Sequence, residues 1–273
     1  MLRGVHSLGL NLYKGAKRLV VKAGTSILTD ESSMLDVGKM AKLVSGLMKL
    51  RKQGRDLVLV SSGAIGAGMG RLNLSKRPES MPQLQAAAAI GQGILMQTYE
   101  YFFNNYGQSI AQLLLTKDDF DNPVRYSNLT NTLETLIGWG VIPVINENDT
   151  VATEEIKVGD NDTLAAYVAT GINAELLIIL TDVDGLYTRN PRESAKSRLV
   201  EIVEEVTPEV EGWASRAGKG FGGMYTKVQA AKLLAEEGIP TVIVNGEEPN
   251  ILTRVFESKV GTLFLPRRRE TDE

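Results

Sequence analysis

Lys22 ends an apolar run and is followed at once by Ala-Gly-Thr-Ser, in the stretch VVKAGTS at 20–26. A lysine at the end of a buried strand is unfavourable unless an anion meets it. Ligands of open α/β sheets collect at the carboxyl ends of the strands, so a cation there points to phosphate. Gly24 lets backbone approach closely, and Thr25 and Ser26 offer hydroxyls. The bland alternative is a lysine snorkelling at a sheet edge. Ser61-Ser62-Gly63 follows the run DLVLV and opens a small-residue segment, SSGAIGAG at 61–68. A helix starting there presents free N–H groups and a positive dipole end to an anion, although Ser and Gly also make ordinary capped turns.

Two further stretches carry acids and a second lysine. INENDTVATEEIKVGDND at 145–162 begins where VIPVI ends. A plain turn rarely needs two amides and two acids together, and Asp149 is a candidate partner for a substrate ammonium. Asn161 and Asp162 precede Thr163-Leu164-Ala165-Ala166, a helix start that an acid could simply cap. FGGMYTK at 221–227 is a Gly-rich loop leading into Lys227 at the head of a helix. The run 218–223, GKGFGG, formally fits the dinucleotide pattern G-x-G-x-x-G. It follows EVEGWASRA rather than an apolar strand, so that reading is set aside, and no G-x-x-x-x-G-K-[ST] is present. Together these stretches span nearly the whole chain and can meet only in a folded site.

The elements that must position them alternate strand and helix. Short continuous apolar runs at 19–21, 57–60, 110–115, 141–145, 176–180 and 241–244 suit parallel strands covered on both faces. Met34, Val37, Met40, Leu43, Val44 and Leu47 recur at helical spacing before Gly54. Thr207-Pro208 reads as an N-cap with Pro at the first helical position, and 226–237 reads as a helix stopped by Gly238 and Pro240. The stretch 81–106 is helical and apolar nearly all round, which predicts a buried core helix or one that also meets a second subunit. The expected fold class is α/β, a mostly parallel central sheet sandwiched between helices.

Composition narrows the function. The 273 residues are 43% apolar, enough for one large α/β domain. There is no cysteine, and His6 is the only histidine, so disulfides, thiolate sites and a His/Cys zinc site are excluded. A hard cation held by oxygens stays open, but no residue is assigned as a metal ligand. A net charge of −3 gives no basic stripe, so nucleic acid is not an expected partner. No apolar run approaches the roughly 20 residues that span a membrane. The first segment lacks a signal-peptide pattern, so a cytoplasmic protein is expected.

VVKAGTS, SSGAIGAG, PVINENDTVATEEIKVGDND, LTDVDGLYT and GGMYTK, in this order and spacing, resemble the motifs of the amino acid kinase family. The resemblance runs from about Arg18 to Pro266. It implies an N-terminal extension over 1–16, an amino acid kinase domain over 17–266 and a solvated tail over 267–273. Many relatives add a C-terminal PUA domain, which is not expected here. The activity it implies is ATP-dependent phosphorylation of the side-chain carboxylate of L-glutamate to L-glutamyl 5-phosphate, the first step of proline biosynthesis. Lys22 and Lys227 would stabilise the transferring phosphoryl group, and Asp162 would hold both lysines. Ser62, Asp149 and Asn161 would bind glutamate. ATP, with Mg2+, would be held by Lys22, Thr181 and Asp182 and by the loop of Phe221, Gly222, Gly223, Met224, Tyr225, Thr226 and Lys227. Feedback by proline and a homo-oligomer, dimer or tetramer, are further implications. A relative acting on aspartate, acetylglutamate, carbamate or a nucleotide, or a non-catalytic amino-acid sensor, remains the alternative. Against the sensor, retention of Lys22, Asp162 and Lys227 suits a transition state.

Overall fold

The computed structural model describes residues 12–151, 161–191, 194, 196–216 and 223–267. The family-implied kinase domain is organised around one eight-stranded sheet in the order β3-β4-β2-β1-β5-β7-β8-β6. The strands are β1 (Arg18–Ala23), β2 (Asp56–Ser61), β3 (Ile110–Leu115), β4 (Ile142–Glu147), β5 (Leu176–Thr181), β6 (Ile202–Val203), β7 (Thr241–Asn245) and β8 (Thr262–Phe264). From β3 to β7 all neighbours are parallel; β8 runs antiparallel to β7, and β6 parallel to β8. The helices are α1 (Thr25–Leu28), α2 (Val37–Lys52), α3 (Ala64–Leu72), α4 (Met81–Asn104), α5 (Asp118–Asp121), α6 (Pro123–Gly138), α7 (Asn161–Gly171), α8 (Pro208–Arg216), α9 (Met224–Glu236) and α10 (Ile251–Glu257).

The inner strands are apolar without alternation because both faces are covered. Leu19, Val21 and Ala23 of β1 and Leu57 and Leu59 of β2 pack with α2, α3, α4 and α10. Val20, Val58 and Val60 point the other way, into a second core with α6, α7, α8 and α9. This two-faced arrangement decides where the polar strand ends point. Lys22 continues the side of Val20, toward α7 and α9; Ser61 continues the side of Leu57 and Leu59, toward α4.

Three expectations change in detail. The run 110–115 forms a strand, but β3 lies at the edge of the sheet and Leu114 is exposed. Helix α2 starts only at Val37, where the Asp36 carboxylate accepts from Lys39 N at 2.9 Å; Met34 lies outside it. The predicted 81–106 helix forms as Met81–Asn104.

Helices α3 and α4 touch backbone to backbone. A methyl group on Gly68 would collide with the Ala87 carbonyl oxygen, and one on Gly91 with the Ala64 carbonyl oxygen. Gly63, at φ 104°, makes the turn from β2 into α3 in a backbone conformation that L side chains rarely adopt.

Candidate active site

The carboxyl ends of β1, β2, β4 and β5 bring the predicted residues together. Order reverses around β1, whose neighbours are β2 and β5, and such switch points open a crevice at the strand ends. Lys22 sits on β1, Ser62 follows β2, Glu147 closes β4 with Asp149 just beyond, and Thr181 closes β5 with Asp182 after it. Asn161 and Asp162 open α7; Gly223 caps α9, whose first residues are Met224, Tyr225, Thr226 and Lys227. Phe221 and Gly222 lie outside the described residues, as does the KVGD part of the third motif.

At the centre is one carboxylate between two lysines. Asp162 Oδ1 lies 2.7 Å from Lys22 Nζ, and Asp162 Oδ2 lies 3.1 Å from Lys227 Nζ. Asp162 is fully buried, and each lysine is only 3% exposed. The Thr226 hydroxyl donates to Asp162 Oδ2 at 2.6 Å. Burial alone would raise the Asp162 carboxyl. The charges of Lys22 and Lys227, with hydrogen bonds from Lys22 and Thr226, outweigh it and hold the group at about 2. Burial, then the neighbouring Lys22 charge, pulls Lys227 below the ordinary lysine value, against the opposing pull of Asp162. Two buried ammonium groups thus share one buried carboxylate, an arrangement that can meet a phosphate anion.

The helix ends agree. Gly63 caps α3 and Gly223 caps α9, and neither helix has a capping side chain on its first N–H groups. Such ends bind anions through N–H groups and the helix dipole. The Cβ of any residue replacing Gly24 would stand 3.6 Å from Lys22 Nζ, crowding the approach to that cation.

A second polar cluster adjoins the lysines. Asn161 Nδ2 donates toward Ser62 Oγ and Asn146 Oδ1, both at 2.9 Å, and toward the Ser61 carbonyl at 3.2 Å. Asn146 Nδ2 donates to Gln92 Oε1 at 2.9 Å, while Asn146 Oδ1 also accepts from Glu147 N. The Tyr99 hydroxyl lies 2.7 Å from Ser61 Oγ. Asp149 is buried; burial, then the Glu147 charge, raises its carboxyl to about 7 despite Arg77. Thr181 is buried with its hydroxyl on Asp182 Oδ1 at 3.2 Å, and Asp182 itself is exposed.

Gln92 and Tyr99 are not assigned to the site from the sequence, and Asn146 is singled out there only as part of the polar stretch after VIPVI. The signal was present: Ala88, Gln92, Leu95 and Tyr99 form one stripe of α4, spaced by four, three and four, and two of them are polar.

The model of the amino acid kinase family matches residues 17–245. A "Glutamate 5-kinase" of Caldanaerobacter subterraneus subsp. tengcongensis is 54% identical over 254 residues, covering 92% of this chain and 68% of the relative. A "Glutamate 5-kinase" of Clostridium tetani is 49% identical over 254 residues, covering 92% of this chain and 95% of the relative. Among solved structures, carbamate kinase from Giardia lamblia bound to AMP-PNP has a TM-score of 0.66 at 20% identity, covering 92% of this chain and 99% of its own. UMP kinase from Bacillus anthracis has a TM-score of 0.63 at 13% identity, covering 93% and 97%. These two structures share the fold alone. With the family model spanning most of the described sheet and relatives at about half identity over 92% of its length, the chain belongs to the amino acid kinase family.

Proposed function

We propose that this chain transfers the γ-phosphoryl group of ATP to the side-chain carboxylate of L-glutamate, giving L-glutamyl 5-phosphate and ADP, the first step of proline biosynthesis. The observation that carries the reaction class is the Asp162 carboxylate held between two buried lysines at the strand ends. The acceptor follows from the glutamate 5-kinases that the chain resembles so closely.

The chemistry needs little from the protein beyond placement and charge. A glutamate side chain, with an ordinary pKa near ~4.3, is already ionised at neutral pH, so no general base is required. One of its oxygens forms the new bond to the γ-phosphorus, the bond from that phosphorus to the β–γ bridging oxygen breaks, and ADP leaves with that oxygen. The difficulty is bringing two anions together. Correct placement removes about 7–11 kcal/mol of barrier in well-oriented systems. A lysine about 4 Å from the moving charge, at an effective dielectric near ~20, contributes on the order of 4 kcal/mol. In this reading Lys22 and Lys227 face the transferring group, and Asp162 fixes where their ammonium groups stand. Ser62, Asp149 and Asn161 seat glutamate, with the Asp149 carboxylate toward its ammonium. Thr181, Asp182 and the segment from Gly223 to Lys227 seat the nucleotide.

Magnesium belongs to the same reading. Among the described residues no group of three or more His, Cys, Asp or Glu gathers to hold a metal, so the ion is expected on the ATP phosphates with few protein ligands. Bound there it neutralises phosphate charge. Feedback by proline and assembly into a homo-oligomer are retained as proposals. Exposed Ile90 and Tyr101 on α4 and Leu114 on the edge strand support the second.

Trapping with hydroxylamine tests the function. Glutamate, ATP and magnesium together should yield glutamyl hydroxamate in step with ADP, whereas aspartate, acetylglutamate, carbamate and nucleotides should not replace glutamate. ADP release that does not depend on glutamate would overturn the assignment.

A further inference from the structure

The Asn161 side chain is 2% exposed, and its Oδ1 atom has no hydrogen-bond partner among the described residues. Its Nδ2 atom, by contrast, is surrounded by three acceptors: Ser62 Oγ, Asn146 Oδ1 and the Ser61 carbonyl. An asparagine amide is nearly the same shape in either orientation, so the orientation is set by its neighbours. Asn146 presents Oδ1 to Asn161: Glu147 N, an obligate donor, holds that oxygen, and Gln92 Oε1 takes the Asn146 Nδ2. The order of donors and acceptors thus runs from Gln92 on α4, through Asn146 at the end of β4, to Asn161 at the head of α7.

We propose that Gln92 is a positioning residue that selects an amino-bearing substrate: through Asn146 it fixes the Asn161 amide so that Oδ1, an acceptor, faces the ligand. This rests on the reading that Asn161 and Asp149 seat glutamate. A buried acceptor with no protein partner is unfavourable until a donor arrives, and the α-ammonium of glutamate is such a donor. With the amide reversed, Nδ2 would meet the ammonium with like polarity. Gln92 touches no substrate in this scheme and acts through two other side chains.

The test replaces Gln92 by methionine, which keeps length and removes the acceptor, and by glutamate, which keeps an acceptor oxygen. Glutarate, which lacks the amino group, serves as comparison substrate. For Gln92→Met the KM for glutamate should rise about tenfold, the scale of one directed hydrogen bond. The preference for glutamate over glutarate should fall by a similar factor, while the KM for ATP holds and kcat changes less than KM. Gln92→Glu should recover most of the preference. A Gln92→Met enzyme with the wild-type glutamate-to-glutarate ratio overturns the proposal. So does one in which kcat and both KM values shift together with a lowered Tm, since that marks a structural role alone. Asn161→Leu and Asp149→Asn run alongside. If these raise the glutamate KM and Gln92→Met does not, the glutamate site stands and the Gln92 relay fails; if they too leave it unchanged, the site reading itself fails.

Discussion

Lys22 Nζ and Asp162 Oδ1 stand 2.7 Å apart, although they lie far apart in the chain, and both side chains are buried. The contact joins the central strand to the first turn of α7, and Lys227 completes it from α9. Removing the shared carboxylate leaves two buried ammonium groups without their anion. Asp162→Asn should lower stability by about 3–5 kcal/mol, the range for breaking a buried pair. Turnover should fall while the KM for glutamate stays within a few-fold, because in the proposed mechanism Asp162 orients the lysines and does not seat glutamate. ATP should restore part of the lost Tm by supplying negative charge. Thermal melts with and without ATP, beside steady-state kinetics, decide this; an unchanged Tm would count against it.

Lys227 should act mainly in the transition state. Lys227→Ala should lower kcat by on the order of 10²-fold or more, with a smaller effect on the KM for ATP, as for other electrostatic stabilisers. Normal turnover in this variant would remove Lys227 from the mechanism.

In the proposed reading, Asp149 should set a pH dependence. Its carboxyl is raised to about 7, first by burial and then by Glu147. Below that value it is largely protonated and cannot pair as an anion with the substrate ammonium. Hence kcat/KM for glutamate should rise with pH through about 7. Asp149→Asn should raise the glutamate KM strongly and flatten this limb. Stability moves the opposite way. The folded state keeps a proton that the unfolded state releases near ~3.9, so between about 4 and 7 this group makes stability fall as pH rises. Melts of the ligand-free protein should show that slope, and Asp149→Asn should remove it.

Catalysis should require a divalent cation. Excess EDTA should abolish ADP release, and magnesium or manganese should restore it. Full activity in EDTA would refute this.

The outer face of α4 should join two copies of the chain. Ile90 is 40% exposed and Tyr101 66%, beside the edge strand β3 with Leu114 exposed at 37%. Light scattering at micromolar concentration should show a dimer or larger assembly, and Ile90→Arg should shift it toward monomer. Wild-type protein that is monomeric throughout would refute the proposal.

The inner strands and the central lysines were legible in the sequence because burial writes them plainly. Val20 and Val21 lead into Lys22, and few roles need a cation after such a run. The side of the sheet to which Lys22 points was not legible, since a run without alternation carries no phase; only the helices packed on each face supply it. β6 and β8, two and three residues long, are too short to show any period. Gln92 and Asn146 were visible as polar positions, but their roles were not, for another reason. Their importance lies in which atom of an amide faces which neighbour, and residue type does not encode that.

The glycines at 68 and 91 have a mechanical consequence. With main chains in direct contact and no side chains between them to act as a cushion, α3 and α4 form one stiff plank. One end of that plank opens at Ser62-Gly63, and its long member carries Gln92 and Tyr99. A shift of α4 against α3 would therefore meet main chain before any compressible side chain, at the end where the Ser62–Asn161–Asn146 amide cluster lies. A single added methyl at the seam is a wedge in a hinge that was never built to open.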